Sequence, residues 1–140
     1  MSPVLEVVRT CENPVLKIII ALASLSIVPV SSAYAQNMTR SQENAVRSAN
    51  SYLDFKGFSR NGLIDQLSSQ YGDGYDVEDA TIAVDSLTVD WDAQAARAAE
   101  TYLEFKGFSC RGLIQQLSSE YGGKFTESQA TFGAEQAGVC

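Results

Sequence analysis

The chain has 140 residues, enough for one or two small domains, and its hydrophobic fraction of 45% is sufficient for a packed core. It contains no histidine, which excludes Ser-His-Asp and Cys-His catalysis, histidine-ligated zinc and haem with a proximal histidine. With 10 Lys+Arg against 17 Asp+Glu the formal net charge is −7, which disfavours nucleic acid as a partner because phosphate binding needs clustered basic residues.

The first predicted element is an export signal over residues 1–35. An apolar run at residues 18–30 is shorter than the roughly 20 apolar residues that a transmembrane helix needs. The sequence SSAYA that follows fits the small-residue motif cut by signal peptidase, so we expect cleavage between Ala35 and Gln36. A buried core helix is the alternative interpretation of the run, and the proline and serines at its end disfavour it.

The same segment bears on lipid anchoring. A bacterial lipoprotein carries its acyl chains on a cysteine directly after the apolar run, whereas the nearest cysteine here, Cys11, precedes the run. We therefore expect an exported protein, periplasmic or secreted, without a lipid anchor.

After the signal, the chain repeats itself with an offset of 50 positions. Between residues 52–72 and 102–122, 16 of 21 aligned positions are identical without a gap. Self-similarity of this kind is typical of repeat architectures. The sequence therefore predicts an all-α protein with two tandem three-helix repeats, at residues 40–88 and 89–138.

Three short helices are predicted in each copy. In the first copy, Gly57 is expected to end the first helix in a left-handed conformation, with Phe58 packing back on the last turn. Ser59 is placed to cap the second helix, whose apolar face is expected to continue to Tyr71. Gly62 lies inside that helix, where glycine costs about 1 kcal/mol relative to alanine, and it indicates a close approach between helices.

The third helix is expected to begin at Asp76, with a capping box at residues 126–129 in the second copy. Trp91 lies where the copies join, and a buried core position is favoured for it over a ligand-stacking role. The motif residues are interpreted as structural: Gly57, Phe58, Ser59, Gly62, Leu63, Ile64 and Leu67 in the first copy, and Gly107, Phe108, Ser109, Gly112, Leu113, Ile114 and Leu117 in the second.

Two cysteines, Cys110 and Cys140, remain after the signal, and an exported protein with two cysteines is a candidate for a disulfide. At the offset of 50 they align with Arg60 and Asp90. We therefore predict an Arg60–Asp90 salt bridge in the first copy and a Cys110–Cys140 disulfide at the equivalent place in the second. An unpaired Cys140 in a frayed tail and a bridge between two chains are the alternatives.

The segments YLDFKGFSRNGLIDQLSSQYG and YLEFKGFSCRGLIQQLSSEYG resemble the repeats of the host cell surface-exposed lipoprotein (Ltp-like) family, also described as helix-turn-helix-like. With the stretch DATIAVDSLTVDWDAQAARAA between them, the resemblance covers nearly all of residues 42–136. It implies an all-α module displayed outside the cytoplasmic membrane. For some prophage-encoded members it also implies superinfection exclusion, in which the DNA of a second phage is kept out of the cell. The absent lipoprotein cysteine departs from the family pattern.

The function favoured by the sequence is an exported binding module that acts by contact with a protein of the envelope, with a phage component as one candidate. Its predicted partner surface is acidic and consists of Asp73, Asp76, Glu78 and Asp79. The alternative interpretation is that these acids only stabilise a helix N-terminus. A structural or host-interaction surface protein without a phage role also stays open.

Two other classes are disfavoured. A carboxylate-based hydrolase needs a pocket that raises a pKa, whereas the acids lie in turns and on polar helix faces. A helix-turn-helix-like DNA-binding module would need more basic residues than these repeats offer, and export separates it from the chromosome. We predict no enzyme activity, no cofactor, no metal site and no catalytic residue.

Overall fold

The computed structural model describes residues 38–140, which form six α-helices and, within that range, no β-strand. The predicted signal peptide, with its cleavage between Ala35 and Gln36, lies outside the described residues. The first three helices form repeat one and the last three form repeat two, so the predicted all-α fold of two repeats is confirmed. The helices are α1 Arg40–Phe55, α2 Arg60–Ser68, α3 Val77–Asp85, α4 Trp91–Phe105, α5 Cys110–Ser118 and α6 Glu127–Gln136.

Side-chain caps set the starts of five helices. A cap oxygen accepts a backbone N–H that has no partner within the helix, and this fixes the first turn. The predicted capping box of Thr126 with Gln129 is confirmed, and α1 begins with another. Asp76 occupies the cap position of α3, but its carboxylate makes no capping hydrogen bond. The five capping residues are Thr39, Ser59, Asp90, Ser109 and Thr126.

Each repeat has its own apolar core, in which the third helix packs on the first two. The repeated leucines of the second helices are fully buried, as expected for structural residues: Leu63, Leu67, Leu113 and Leu117. The core of repeat one comprises Ala49, Leu53, Phe58, Leu63, Ile64, Leu67, Ala80 and Val84. The core of repeat two comprises Ala95, Ala98, Ala99, Leu113, Leu117, Phe125, Ala130 and Ala134.

Two expectations about the second helices are wrong. α2 ends at Ser68, because the backbone N–H groups of the next turn bond back to the carbonyls of its last residues, so Tyr71 lies beyond the helix and is 92% exposed. Gly62 and Gly112 do not mark a close approach of another helix. A Cβ there would lie 3.0 and 3.1 Å from the hydroxyl of the capping serine, so these glycines accommodate the cap. At Gly62 the Cβ would also lie 3.4 Å from the carbonyl oxygen of Gly123, which belongs to the turn after α5.

Gly57 mediates the close approach between the two repeats. It does not adopt the predicted left-handed conformation; the positive-φ glycines in residues 38–140 are Gly74 and Gly138. Instead, a Cβ at position 57 would lie 2.3 Å from the carbonyl oxygen of Gln94 and 2.5 Å from the nitrogen of Ala98. Any larger residue would therefore push α4 away from repeat one.

Arg97 and Trp91 complete this joint. The Arg97 guanidinium donates to the carbonyl oxygens of Leu53 and Asp54, at 2.6 and 3.3 Å. These carbonyls belong to the last turn of α1, where no partner exists within the helix and a cation is favoured. Trp91 packs partly buried against the core of repeat one. The joint thus combines apolar contact with satisfied helix carbonyls.

None of the helices in residues 38–140 is both long and apolar enough to cross a membrane.

Candidate partner-binding site

A groove of about 490 Å³ lies along the joint between the repeats. One side comes from the loop between α1 and α2, from α2 and from the turn after it, and the other comes from α4 and the turn after α5. Tyr71 and Phe105 line it from opposite repeats and are 92% and 84% exposed. Two exposed aromatic rings beside a concave surface are typical anchors of protein interfaces. We name this surface the inter-repeat groove.

Glycines form much of its lining because the turns leave no space for side chains. A Cβ at Gly72 would lie 1.9 Å from the carbonyl oxygen of Gln66, and a Cβ at Gly122 would lie 2.1 Å from that of Gln116. The two turns are therefore alike in both repeats.

An ion pair between Lys124 and Asp65 links the two repeats across the groove. The hydrogen bond to Asp65 raises the pKa of Lys124, because it favours the charged ammonium. Lys124 has φ of 54°, in the left-handed region, whereas the equivalent residue of repeat one is a glycine, Gly74. A non-glycine residue there costs about 1–2 kcal/mol, so the backbone is strained at the residue that makes the ion pair.

This ion pair is not among the predictions made from the sequence. The sequence feature that could have indicated it is a difference between the aligned repeats: Lys124 aligns with Gly74, and Asp65 aligns with Gln115. Both charges are therefore unique to the one place where the repeats meet. Such differences between otherwise alike copies indicate residues that serve the joint.

The predicted acidic surface lies around the start of α3. Asp73 accepts a hydrogen bond from the Tyr52 hydroxyl at 2.9 Å. This bond raises the pKa of Tyr52, because the carboxylate holds the phenolic proton. Asp73 thereby ties the turn to α1.

The other three acids are placed unequally. Asp79 accepts from the Gln42 side-chain amide at 2.9 Å and is half-buried, so it joins α3 to α1. Asp76 and Glu78 are exposed. Three of the four predicted residues, Asp73, Asp76 and Glu78, are therefore exposed, and Asp73 is the one of these three whose carboxylate is tied to α1.

The predicted Arg60–Asp90 salt bridge is wrong, because Arg60 pairs with Asp85. Its Nε and Nη2 lie 2.6 and 2.7 Å from the two carboxylate oxygens, an arrangement that matches the planar guanidinium. The pair lowers the pKa of Asp85. Asp90 is occupied elsewhere, since it accepts the backbone N–H of Ala93 as the cap of α4.

Repeat two contains the Cys110–Cys140 disulfide, with the Cα atoms 4.9 Å apart. The disulfide and the Arg60–Asp85 ion pair both begin at the first residue of the second helix of their repeat, since Cys110 aligns with Arg60. They end at different places, because Asp85 is the last residue of α3 whereas Cys140 lies beyond α6. Each repeat thus attaches its third helix by a link of its own.

No group of three acidic, cysteine or histidine side chains in residues 38–140 is arranged to hold a metal ion.

Comparisons with known proteins agree with this architecture. The family model described as host cell surface-exposed lipoprotein (Ltp) matches twice, at residues 40–87 and 90–136. The chain is also similar to a solved structure described as Ltp, a superinfection exclusion protein from the Streptococcus thermophilus temperate phage TP-J34. The TM-score is 0.63 at 26% sequence identity, and the match covers 71% of this chain and 97% of that chain. The comparison with curated proteins finds no significant match.

Proposed function

Since the chain belongs to the family of host cell surface-exposed lipoproteins, Ltp, we propose that it acts outside the cytoplasmic membrane as a superinfection exclusion protein, through contact with another protein. Both repeats match the family, and the solved relative is described as an exclusion protein. These descriptions name a surface protein and an exclusion protein, and neither names an enzyme. They favour a role in binding over one in catalysis.

The inter-repeat groove is the contact surface that the geometry supports best. The observation that carries this proposal is the exposure of Tyr71 and Phe105 on the two sides of one cavity. Aromatic anchors that enter or flank a pocket contribute most of the binding energy in many interfaces. Arg97 and the Lys124–Asp65 pair hold the two sides of the groove at a fixed separation, so little order has to be gained on binding.

The acidic surface is a second contact, supported by the exposure of Asp76 and Glu78. In a protein of net charge −7 these carboxylates attract a basic segment of a partner. Since both are exposed, their contribution is screened by salt. The matching region of repeat two has no such cluster, so the two repeats are not equivalent in this contact.

The proposed partner is a phage component, or an envelope protein that an infecting phage uses, and the contact keeps the phage DNA outside. A surface protein without a phage role is the alternative. The prediction of a protein without a lipid anchor stands against the word lipoprotein in the family's description, and it stays a prediction.

The test is a phage challenge of bacteria that produce the protein, with plaque number, phage adsorption and delivery of labelled DNA measured together. We expect normal adsorption, few plaques and little delivered DNA. The variant Tyr71→Ala with Phe105→Ala should lose at least about tenfold of the exclusion, as expected for two anchor residues.

The matched control is Phe55→Ala with Tyr121→Ala. It removes the same residue types at the equivalent positions of the other repeat, where they are 83% and 102% exposed and do not line the groove. Equal loss in both double variants would contradict a role confined to the groove within one chain. Unchanged infection of cells that display the wild-type protein would contradict exclusion and favour the alternative.

The acidic contact is tested with Asp76→Asn and Glu78→Gln together. We expect exclusion to fall several-fold, and binding to a captured partner to become less sensitive to salt. Unchanged exclusion would remove the acidic surface from the proposal and leave the groove.

A further inference from the structure

We infer that the chain associates head to tail with a second copy of itself. In this association, α1 of one copy packs on repeat two of the next copy, in the way that α4 packs on repeat one within the chain. The inference rests on the internal joint, whose two sides are both displayed again at the outer faces of the repeats. It does not depend on the proposed exclusion function.

The first side is the outer face of repeat two. Gly107 is the counterpart of Gly57, yet a Cβ at Gly107 would meet nothing within 4 Å. The apolar residues around it are also less covered than their counterparts. Leu103, Phe108 and Ile114 are half-buried, whereas the matching residues of repeat one are buried: Leu53, Phe58 and Ile64. Covering a partly exposed apolar face of this kind lowers the free energy of the protein in water.

The second side is the outer face of α1. Arg47 is the counterpart of Arg97 and is exposed. Asn44 of its own helix holds the Arg47 guanidinium, as Gln94 holds that of Arg97. Arg47 is therefore ready to donate to the last carbonyls of another helix. In a second copy those carbonyls belong to Leu103 and Glu104, at the end of α4.

A shallow cavity of about 430 Å³ marks the same face of α1. Most of its lining corresponds, 50 positions earlier, to the repeat-two side of the inter-repeat groove. The shared positions are Ser48, Ser51, Tyr52, Asp73 and Tyr75, which match Ala98, Thr101, Tyr102, Gly123 and Phe125. The cavity is thus one half of a groove whose other half would come from a neighbouring copy.

The joint between copies is weaker than the joint within the chain. Trp91 has Ser41 as its counterpart, and the Lys124–Asp65 pair has Gly74 and Gln115. The apolar contact is therefore smaller, and the ion pair is missing. We expect association that is reversible and increases with protein concentration. Because the two faces differ, a dimer leaves one of each face free, so the association extends beyond a dimer into a ring or an open chain.

The test uses two blocking variants and sedimentation equilibrium of the purified protein. Gly107→Leu fills the face of repeat two, where a Cβ at position 107 would meet nothing within 4 Å in one chain. Arg47→Glu reverses the charge that would meet the carbonyls of Leu103 and Glu104. The wild type should rise in mean mass with concentration, and each variant alone should associate at least about tenfold more weakly, since a charged hydrogen bond is lost or the contact is obstructed.

A mixture of the two variants identifies the joint. Each retains the face that the other lacks, so the mixture should form a one-to-one complex that grows no further. Circular dichroism shows that both variants are folded, and Ser48→Trp is a second blocking variant for the α1 face. A gain of association is expected from Gly74→Lys with Gln115→Asp, by up to about fivefold, because this restores the missing ion pair.

A protein that stays monomeric at every concentration would overturn the inference and leave the outer faces to a different protein. Association that both blocking variants leave unchanged would overturn it as well, as would a mixture that forms no complex.

Discussion

Gly57 and Gly107 are the same residue of the repeat in two environments. Alanine at Gly57 forces its Cβ against the backbone of α4, so we expect Gly57→Ala to lower the free energy of unfolding by about 1–3 kcal/mol. Gly107→Ala should leave the free energy of unfolding within about 0.5 kcal/mol of the wild type, since its Cβ meets nothing. Urea denaturation followed by circular dichroism measures both.

The two variants are controls for each other, because they make the same chemical change in the same sequence context. Equal destabilisation would mean that glycine is needed by the local backbone of the repeat. A larger loss of unfolding free energy at position 57 would mean that glycine is needed there for the contact between the repeats.

At the scale of the helices, the attachment of α3 and α6 differs in kind. The Arg60–Asp85 pair is 43% and 48% exposed, so solvent screens it, and Asp85→Ala should cost about 0–1 kcal/mol. The disulfide closes a loop with a sequence separation of 30, and Cys110→Ser with Cys140→Ser should cost about 3–4 kcal/mol.

Chemical denaturation of the two variants at pH 7 checks this order. Mass spectrometry of the wild type without reductant should find no free thiol at Cys110 or Cys140. A larger loss from Asp85→Ala than from the double serine variant would contradict the assignment of the disulfide as the stronger link.

Helices and caps could be predicted because their signals are local. Ser59 and Thr126 lie three residues from the groups they bind, so spacing alone identifies them. The Arg60–Asp90 prediction is wrong because alignment with the cysteines gives only equivalent positions in the sequence. It does not show which carboxylate the guanidinium reaches. The groove was missed because Tyr71 and Phe105 come from different repeats and meet only once the joint has formed.

At the scale of the whole molecule, stability depends on how strongly the repeats are coupled. Adjacent repeats contribute their own stabilities and that of their interface. Trp91 packs against repeat one from the first turn of α4 and is partly exposed, so Trp91→Ala should cost about 2 kcal/mol. It should also separate the unfolding of the two repeats, seen as a broader urea transition with a lower apparent slope.

Trp91→Phe is the control, since it keeps most of the apolar contact and should keep a single sharp transition. A Trp91→Ala variant that unfolds in one equally steep transition would mean that the Arg97 and Lys124 contacts suffice for cooperativity.

The covalent link in repeat two makes one half of the molecule responsive to the redox potential of its compartment. Glutathione and thioredoxin keep cytosolic thiols reduced, so there repeat two lacks its strongest tether while repeat one retains its ionic one. The groove needs both halves in place. For the exported protein that we propose, formation of the Cys110–Cys140 bond in oxidising surroundings would therefore be a maturation step that fixes the third helix of repeat two.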